Sequence, residues 1–208
     1  MLQTQKVEPG TFAILKRLLL VPELAAFDLV GGTALSLLYG HRLSIDLDIF
    51  CHIPFKNQDI AKGLQTEFED EFVWEDDQSK FGIFCFIHGV KVDIVCYPHP
   101  LIGPRQNVEG IRMYSVQDLM AKKIQAILGR RQKKDFWDIA ELLNHFSVAE
   151  FIDAHHKKFP LQLLLISIPQ AMTYFADAEE TNTPVSLKGQ KWETIKSIIS
   201  KKVNIFLK

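Results

Sequence analysis

"GGTALSLLYGHRLSIDLDIF", residues 31–50, decides how this chain is read. Two glycines open a helix-like run that closes at Gly40. Residues 44–50 then alternate polar and apolar side chains, as a half-buried strand does, and carry Asp46 and Asp48. Side chains two apart on a strand share a face, so the two carboxylates are expected side by side, roughly 7 Å apart. Adjacent carboxylates repel and gain from burial only when a cation neutralises them. Oxygen ligands suit Mg²⁺ or Mn²⁺. Alternation by itself also fits the wet side of an edge strand.

A third acid lies downstream. "FGIFCFIHGVKVDIVCY", residues 81–97, reads as two strands around a His88-Gly89 turn, a hairpin that pairs Asp93 with Phe84. Asp93 is a lone acid in an apolar strand with Lys91 on the same face, so a salt bridge to Lys91 or Arg42 is the alternative to a metal role. Three carboxylates on neighbouring strands would suit a two-ion site, which activates an attacking oxygen and stabilises a leaving pyrophosphate. Gly31 and Gly32 permit close backbone approach, and the helix N-terminus they open offers N–H groups to a phosphate, with the Thr33 hydroxyl beside them. Arg42 and Ser44 precede the acids and either contact phosphate or shape the loop.

Further out, residues 11–20 carry an apolar helical face, and Asn57 is a plausible N-cap for a helix bearing Ile60, Leu64 and Phe68. The proline-rich stretch 98–104 is a loop. Ser115 and Asp118 have capping-box spacing, and Leu119, Ile124, Ile127 and Leu128 supply the buried stripe of the helix that follows. Asp118, Lys122 and Gln125 share one face of it. Helices are expected over 133–146, from Ser147 onward, and over 191–203, with a polar loop at 176–190. Lys122, Lys123, Arg130, Arg131, Lys133 and Lys134 place six cations within thirteen residues, a field for a triphosphate or an RNA backbone that Asp135 and Asp138 partly cancel.

Composition narrows the class. With 208 residues, 47% hydrophobic and 24% charged, the chain fits a globular protein, and a net charge of −1 names no partner. Three cysteines without a CxxC pair argue against a disulfide framework or zinc site, and Cys51 reads as a small buried hydrophobe. His155 and His156 are read as surface residues, and the three tryptophans as core or contact residues. The N-terminus lacks signal-peptide features and no apolar run spans a bilayer, so a cytoplasmic location is expected. Strands before residue 97 and helices after 115 indicate an α+β chain: a small mixed-sheet core with flanking helices over 1–104, then a helical region over 105–208.

These residues, in this order, resemble the polymerase-β-like nucleotidyltransferase superfamily, whose pattern is GG or GS, a DxD pair and a later third acid. More narrowly, "LVGGTALSLLYGHRLSIDLDIF" at 29–50 and "SVQDLMAKKIQAILGRRQKKDFWDIAELL" at 115–143 resemble the AbiEii/AbiGii toxin family. The resemblance covers about residues 25–145. It implies metal-dependent transfer of a nucleotidyl group from an NTP to an acceptor such as tRNA or another RNA, by a toxin paired with an antitoxin. It implies Asp46, Asp48 and Asp93 as metal ligands and catalytic acids, with Gly31, Gly32 and Thr33 at the phosphates and Lys122 at the triphosphate. Asp118, Lys134, Asp135 and Asp138 are implied as further motif residues. Two other classes stay open: a nucleotide- or RNA-binding regulator with a vestigial site, and a small-molecule adenylyltransferase.

Overall fold

The structure is a computed structural model that describes residues 1–75 and 79–208. Residues 76–78 lie outside the described residues. Among the described residues seven strands form one mixed sheet in the order β3-β4-β5-β2-β1-β7-β6. They are β1 (Asp28–Val30), β2 (Leu47–Cys51), β3 (Phe72–Val73), β4 (Gly82–Ile87), β5 (Val90–Cys96), β6 (Gln106–Val108) and β7 (Ile111–Met113). β2 runs antiparallel to β1 and parallel to β5.

β1 feeds α2 (Gly31–Tyr39), which begins at Gly31 in a left-handed conformation and ends at Gly40, also left-handed. α2 packs on β1 and β2, and α3 (Asn57–Phe68) packs on β4. Ile49, Ile83, Cys85, Ile87, Val92 and Ile94 are buried, so these strands alternate toward the core as period-two patterning requires. The β4–β5 hairpin turns at His88 and Gly89, both with positive φ, and pairs Phe84 with Asp93 as the spacing predicts.

The helical half holds α4 (Val116–Gly129), α5 (Lys133–Leu142), α6 (Val148–Lys158), α7 (Ile168–Thr173) and α8 (Trp192–Phe206). The Ser115 side chain accepts from the Asp118 N–H at the start of α4, and Ser147 with Glu150 forms a capping box at the start of α6. α5 is buried between α2, α4 and α8. Trp137 of α5 stacks on Trp192 of α8 at 5.9 Å. The remaining helix, α1 (Pro9–Leu18), is capped by Glu8.

Several expectations change. β2 starts at Leu47, so Asp46 belongs to the approach to the strand and not to the ladder itself. Lys56, not Asn57, is the N-cap of α3, and the Asn57 amide donates instead to the carbonyls of Ser79 and Gly82. Residues 106–113, expected as connection, form β6 and β7, and β7 pairs parallel to β1. Residues 168–173 form α7 through a Ser167–Gln170 capping box. His155 is buried and not a surface residue; it packs on Phe159, and burial first, then His156, pushes its pKa down to about 4.

Candidate active site

The strand register brings two of the three acids together. Asp48 and Asp93 are direct partners on parallel β2 and β5, and Val30 lies opposite Asp48 on β1. Gly31 follows Val30 immediately, and a Cβ there would fall on the Asp48 carboxylate. A Cβ at Gly32 would likewise fall on the Arg42 guanidinium. The paired glycines thus let two charged side chains lie against the start of α2, in addition to any phosphate contact. Thr33 is fully buried; its hydroxyl donates to the Asp46 carbonyl and is hydrogen-bonded to the buried Ser44 hydroxyl at 2.9 Å. Both hydroxyls therefore brace the segment that carries Asp46.

These acids line a cavity of about 330 Å³. Its other walls are Gly32, Arg42, Ser44, Lys91, Lys123, Arg130, Lys134 and residues 182–185. Asp46 is 40% exposed and meets Lys134 Nζ at 3.5 Å, whereas Asp93 accepts from Lys91 Nζ at 2.6 Å. The Asp48 carboxylate makes no hydrogen bond or ion pair among the described residues. Burial raises its pKa and neighbouring Asp93 adds to this, with Lys122 the main opposing charge.

Behind the cavity lies a buried ion network built on α5. Asp138 accepts from His41 Nε2 at 2.7 Å and from Arg42 at 2.7 and 2.9 Å, and forms an ion pair with Lys123 Nζ at 2.6 Å. Asp135, one turn earlier on the same face, accepts from Lys123 at 3.0 Å and from Arg130 at 2.9 and 2.8 Å. Burial alone would raise the pKa of Asp138, but the Arg42 and Lys123 charges and the hydrogen bonds from His41 and Arg42 hold it well below the usual carboxylate range. Asp135 is lowered in the same way. The two aspartates are thus counter-ions that fix Arg42, Lys123 and Arg130 as a basic wall opposite the acids.

Lys122 and Asp118 stand outside the cavity lining. Lys122 Nζ lies 4.1 Å from the Phe50 ring centre and 3.9 Å from that of Tyr97. Burial pushes its pKa down to about 7 against the pull of Asp48. The Asp118 carboxylate is buried and saturated: it accepts from the Ile102 and Gly103 N–H groups, from Ser115, and from fully buried Lys158 at 2.6 Å. It ties the 98–104 loop and α6 to α4.

Lys123 and Arg130, members of the basic run, line the cavity, whereas His41 and the 182–185 segment are neighbours that sequence reasoning had not assigned to the site. Lys123 carried a legible signal, since it sits four residues from both Leu119 and Ile127 on the apolar stripe, where a lysine requires a buried acid. The 182–185 segment carried none. It reaches the cavity because Arg42 bridges Ser186, and the backbones of Leu43 and His41 pair with Val185 and Leu187.

A divalent cation fits these residues. The Asp93 Oδ1 atom is buried without a hydrogen-bond partner, and Asp48 beside it is an unpaired carboxylate in a cavity. Among the described residues no three His, Cys, Asp or Glu side chains already converge as a cation cage, and Lys91 and Lys134 hold the outer two acids.

The family model described as "Nucleotidyl transferase AbiEii toxin, Type IV TA system" matches residues 13–81 and 84–182, and the chain belongs to that family. An uncharacterized protein of Aquifex aeolicus (strain VF5) is 30% identical over 187 residues, covering 87% of this chain and 88% of the relative. MenT4, a nucleotidyltransferase toxin of Mycobacterium tuberculosis H37Rv, superposes with a TM-score of 0.67 at 12% identity, over 95% of this chain and 82% of that one. JHP933 from Helicobacter pylori does so at 0.51 and 16% identity, over 100% and 97%. These likenesses show the fold. Among the described residues no helix is long and apolar enough to cross a membrane.

Proposed function

We propose that this nucleotidyltransferase moves an NMP from an NTP to an RNA acceptor, tRNA included, in a divalent-metal-dependent reaction, as the toxin of a toxin–antitoxin pair acting in the cytoplasm. One observation carries the reading: Asp48 and Asp93 face each other in register at a cavity, with Asp48 unpaired and one Asp93 oxygen unsatisfied. Asp46, Asp48 and Asp93 would hold Mg²⁺ or Mn²⁺. Bound there, the ion would neutralise the triphosphate and lower the pKa of the attacking hydroxyl.

The chain's own residues supply the rest. Arg130 and Lys134, on the opposite wall, meet the triphosphate, with Gly31, Gly32 and the start of α2 beside it. Arg42 and Lys123, fixed by Asp135 and Asp138, set the positive field behind it. Thr33 and Ser44 hold the Asp46 backbone in place. The Lys122 charge opposes, from outside the cavity, the burial that raises the Asp48 pKa, and Asp118 secures the helix that bears Lys122. The acceptor oxygen bonds to the α-phosphorus and the α–β phosphoanhydride bond breaks. Pyrophosphate leaves with the bonding electrons, and the hydroxyl proton passes to water.

A second reading, nucleotide binding without turnover, draws on the lysines that occupy Asp46 and Asp93. The test is label transfer from each α-³²P-NTP with Mg²⁺ or Mn²⁺ into cellular RNA, protein and small molecules. RNA labelled by wild type and at least ~1,000-fold less by Asp48→Asn supports the proposal. Label in a small molecule instead assigns an adenylyltransferase, and binding without any product favours the second reading.

A further inference from the structure

The face of the sheet that carries the acids does not end at β5. It continues across β4, where Phe84 and Phe86 point outward at 44% and 50% exposure while Ile83, Cys85 and Ile87 are buried. Phe84 is the register partner of Asp93, and Phe86 is the partner of Lys91. Val73 on β3, opposite Phe86, extends this exposed row. Phe84, Asp93 and Asp48 therefore form one transverse row over three strands, with Phe84 about 10 Å from Asp48 at ordinary strand spacing.

A second cavity, of about 660 Å³, shares Ile45, Asp46 and Lys91 with the first and is walled by Phe86 and His88. Two cavities thus meet at the acids. The first is walled by the α5 cations and suits the triphosphate. The second leads away past the Phe86 ring and His88, with Phe84 on the same sheet face beside it.

We propose that Phe84 and Phe86 form a stacking platform that binds the unpaired 3′ end of an RNA acceptor and delivers its terminal hydroxyl to the acids. The proposal rests on the reading above and adds the acceptor subsite to it. Aromatic rings exposed on a sheet face are what single-stranded bases stack on, without dependence on base identity. Exposed His88 borders the rings, and half-exposed Lys91 lies between them and the cavity in its ion pair with Asp93. The nearby acids are already committed: Glu71 pairs with Arg17 at 2.9 Å, and Glu8 accepts from the Thr11 N–H at the N-terminus of α1. A double-stranded end presents no free base faces, so the platform selects a single-stranded terminus.

The test is fluorescence anisotropy with a short 5′-fluorescein RNA, single-stranded or as a blunt duplex, at one salt concentration. Wild type is compared with Phe84→Ala, Phe86→Ala, the double variant and Phe84→Trp, with thermal melts confirming that each is folded. The expected result is about tenfold weaker single-strand binding for each alanine, from the usual strength of one base stacked on a ring. Phe84→Trp should bind as wild type does, and the duplex should bind more weakly than the single strand. The proposal is overturned if the double variant binds the single strand like wild type, if the duplex binds equally well, or if wild type does not bind RNA. Asp48→Asn separates the two ideas. It should still bind RNA while losing label transfer, and retained transfer would overturn the catalytic assignment and leave the platform to the binding data.

Discussion

Asp138→Asn asks whether the basic wall of the site depends on a buried counter-charge. The carboxylate makes four charge-assisted contacts, at 2.7, 2.7, 2.9 and 2.6 Å, to His41, twice to Arg42, and to Lys123. An asparagine offers one oxygen and turns an NH₂ toward cations, so at least two contacts are lost. Each is worth about 1.5–3 kcal/mol, and removing one partner of a buried pair typically costs about 3–5 kcal/mol. For a chain of this size that lowers the melting temperature by about 10 °C. Thermal unfolding followed by circular dichroism reads this directly. The pH dependence has a defined sign. Asp138 has a depressed folded-state pKa, so its contribution is fully present above the unfolded value of about 3.9 and is lost as pH falls toward the folded value. The gap between wild type and variant should hold from about pH 8 to about pH 5 and narrow below about pH 4. Arg42→Met combined with Asp138→Asn should cost less than the two single changes added. A gap under about 1 kcal/mol, or additive single effects, would refute the counter-ion role.

Two further outcomes are expected. Gly31→Ala adds a Cβ against the Asp48 carboxylate at a φ of +73°, whereas Gly110→Ala meets nothing within 4 Å at a comparable φ of +83°. Both should lose about 1–3 kcal/mol to backbone strain, but only Gly31→Ala should lower nucleotidyl transfer, by about 100-fold; equal activities would remove the close approach from the argument. Lys91→Ala frees Asp93 from its 2.6 Å ion pair. It should raise Mn²⁺ affinity about fivefold by titration calorimetry, the scale of a half-exposed pair, and unchanged affinity would mean that the lysine does not compete with the ion.

Much of the site was legible because it lies on short, regular stretches. The His88-Gly89 turn fixes the hairpin register, so the pairing of Phe84 with Asp93 follows from turn chemistry and alternation. Gly31-Gly32 announced a close approach, although not to which side chain. β6 and β7 were hidden because three-residue strands show too few alternations to stand out from a loop. Asp46 was misplaced by one residue of strand boundary, since alternation continues past the last ladder bond.

Local pattern by itself determined the glycine-opened helix, the acid-bearing strands, the hairpin and the family. Those features depend on neighbours in the chain, through backbone dihedrals and side-chain period. Tertiary structure alone decided what each charge meets. Asp135 and Asp138 read as diluting a basic run, yet in the fold they hold it in place, because burial leaves a charge needing a partner and the partners come from the segment after α2 and from α4. The same holds for Asp118, whose partner Lys158 is 40 residues away, and for the joining of the two cavities at Asp46 and Lys91. Contacts of that range are set by how helices pack on the sheet, which no local period encodes.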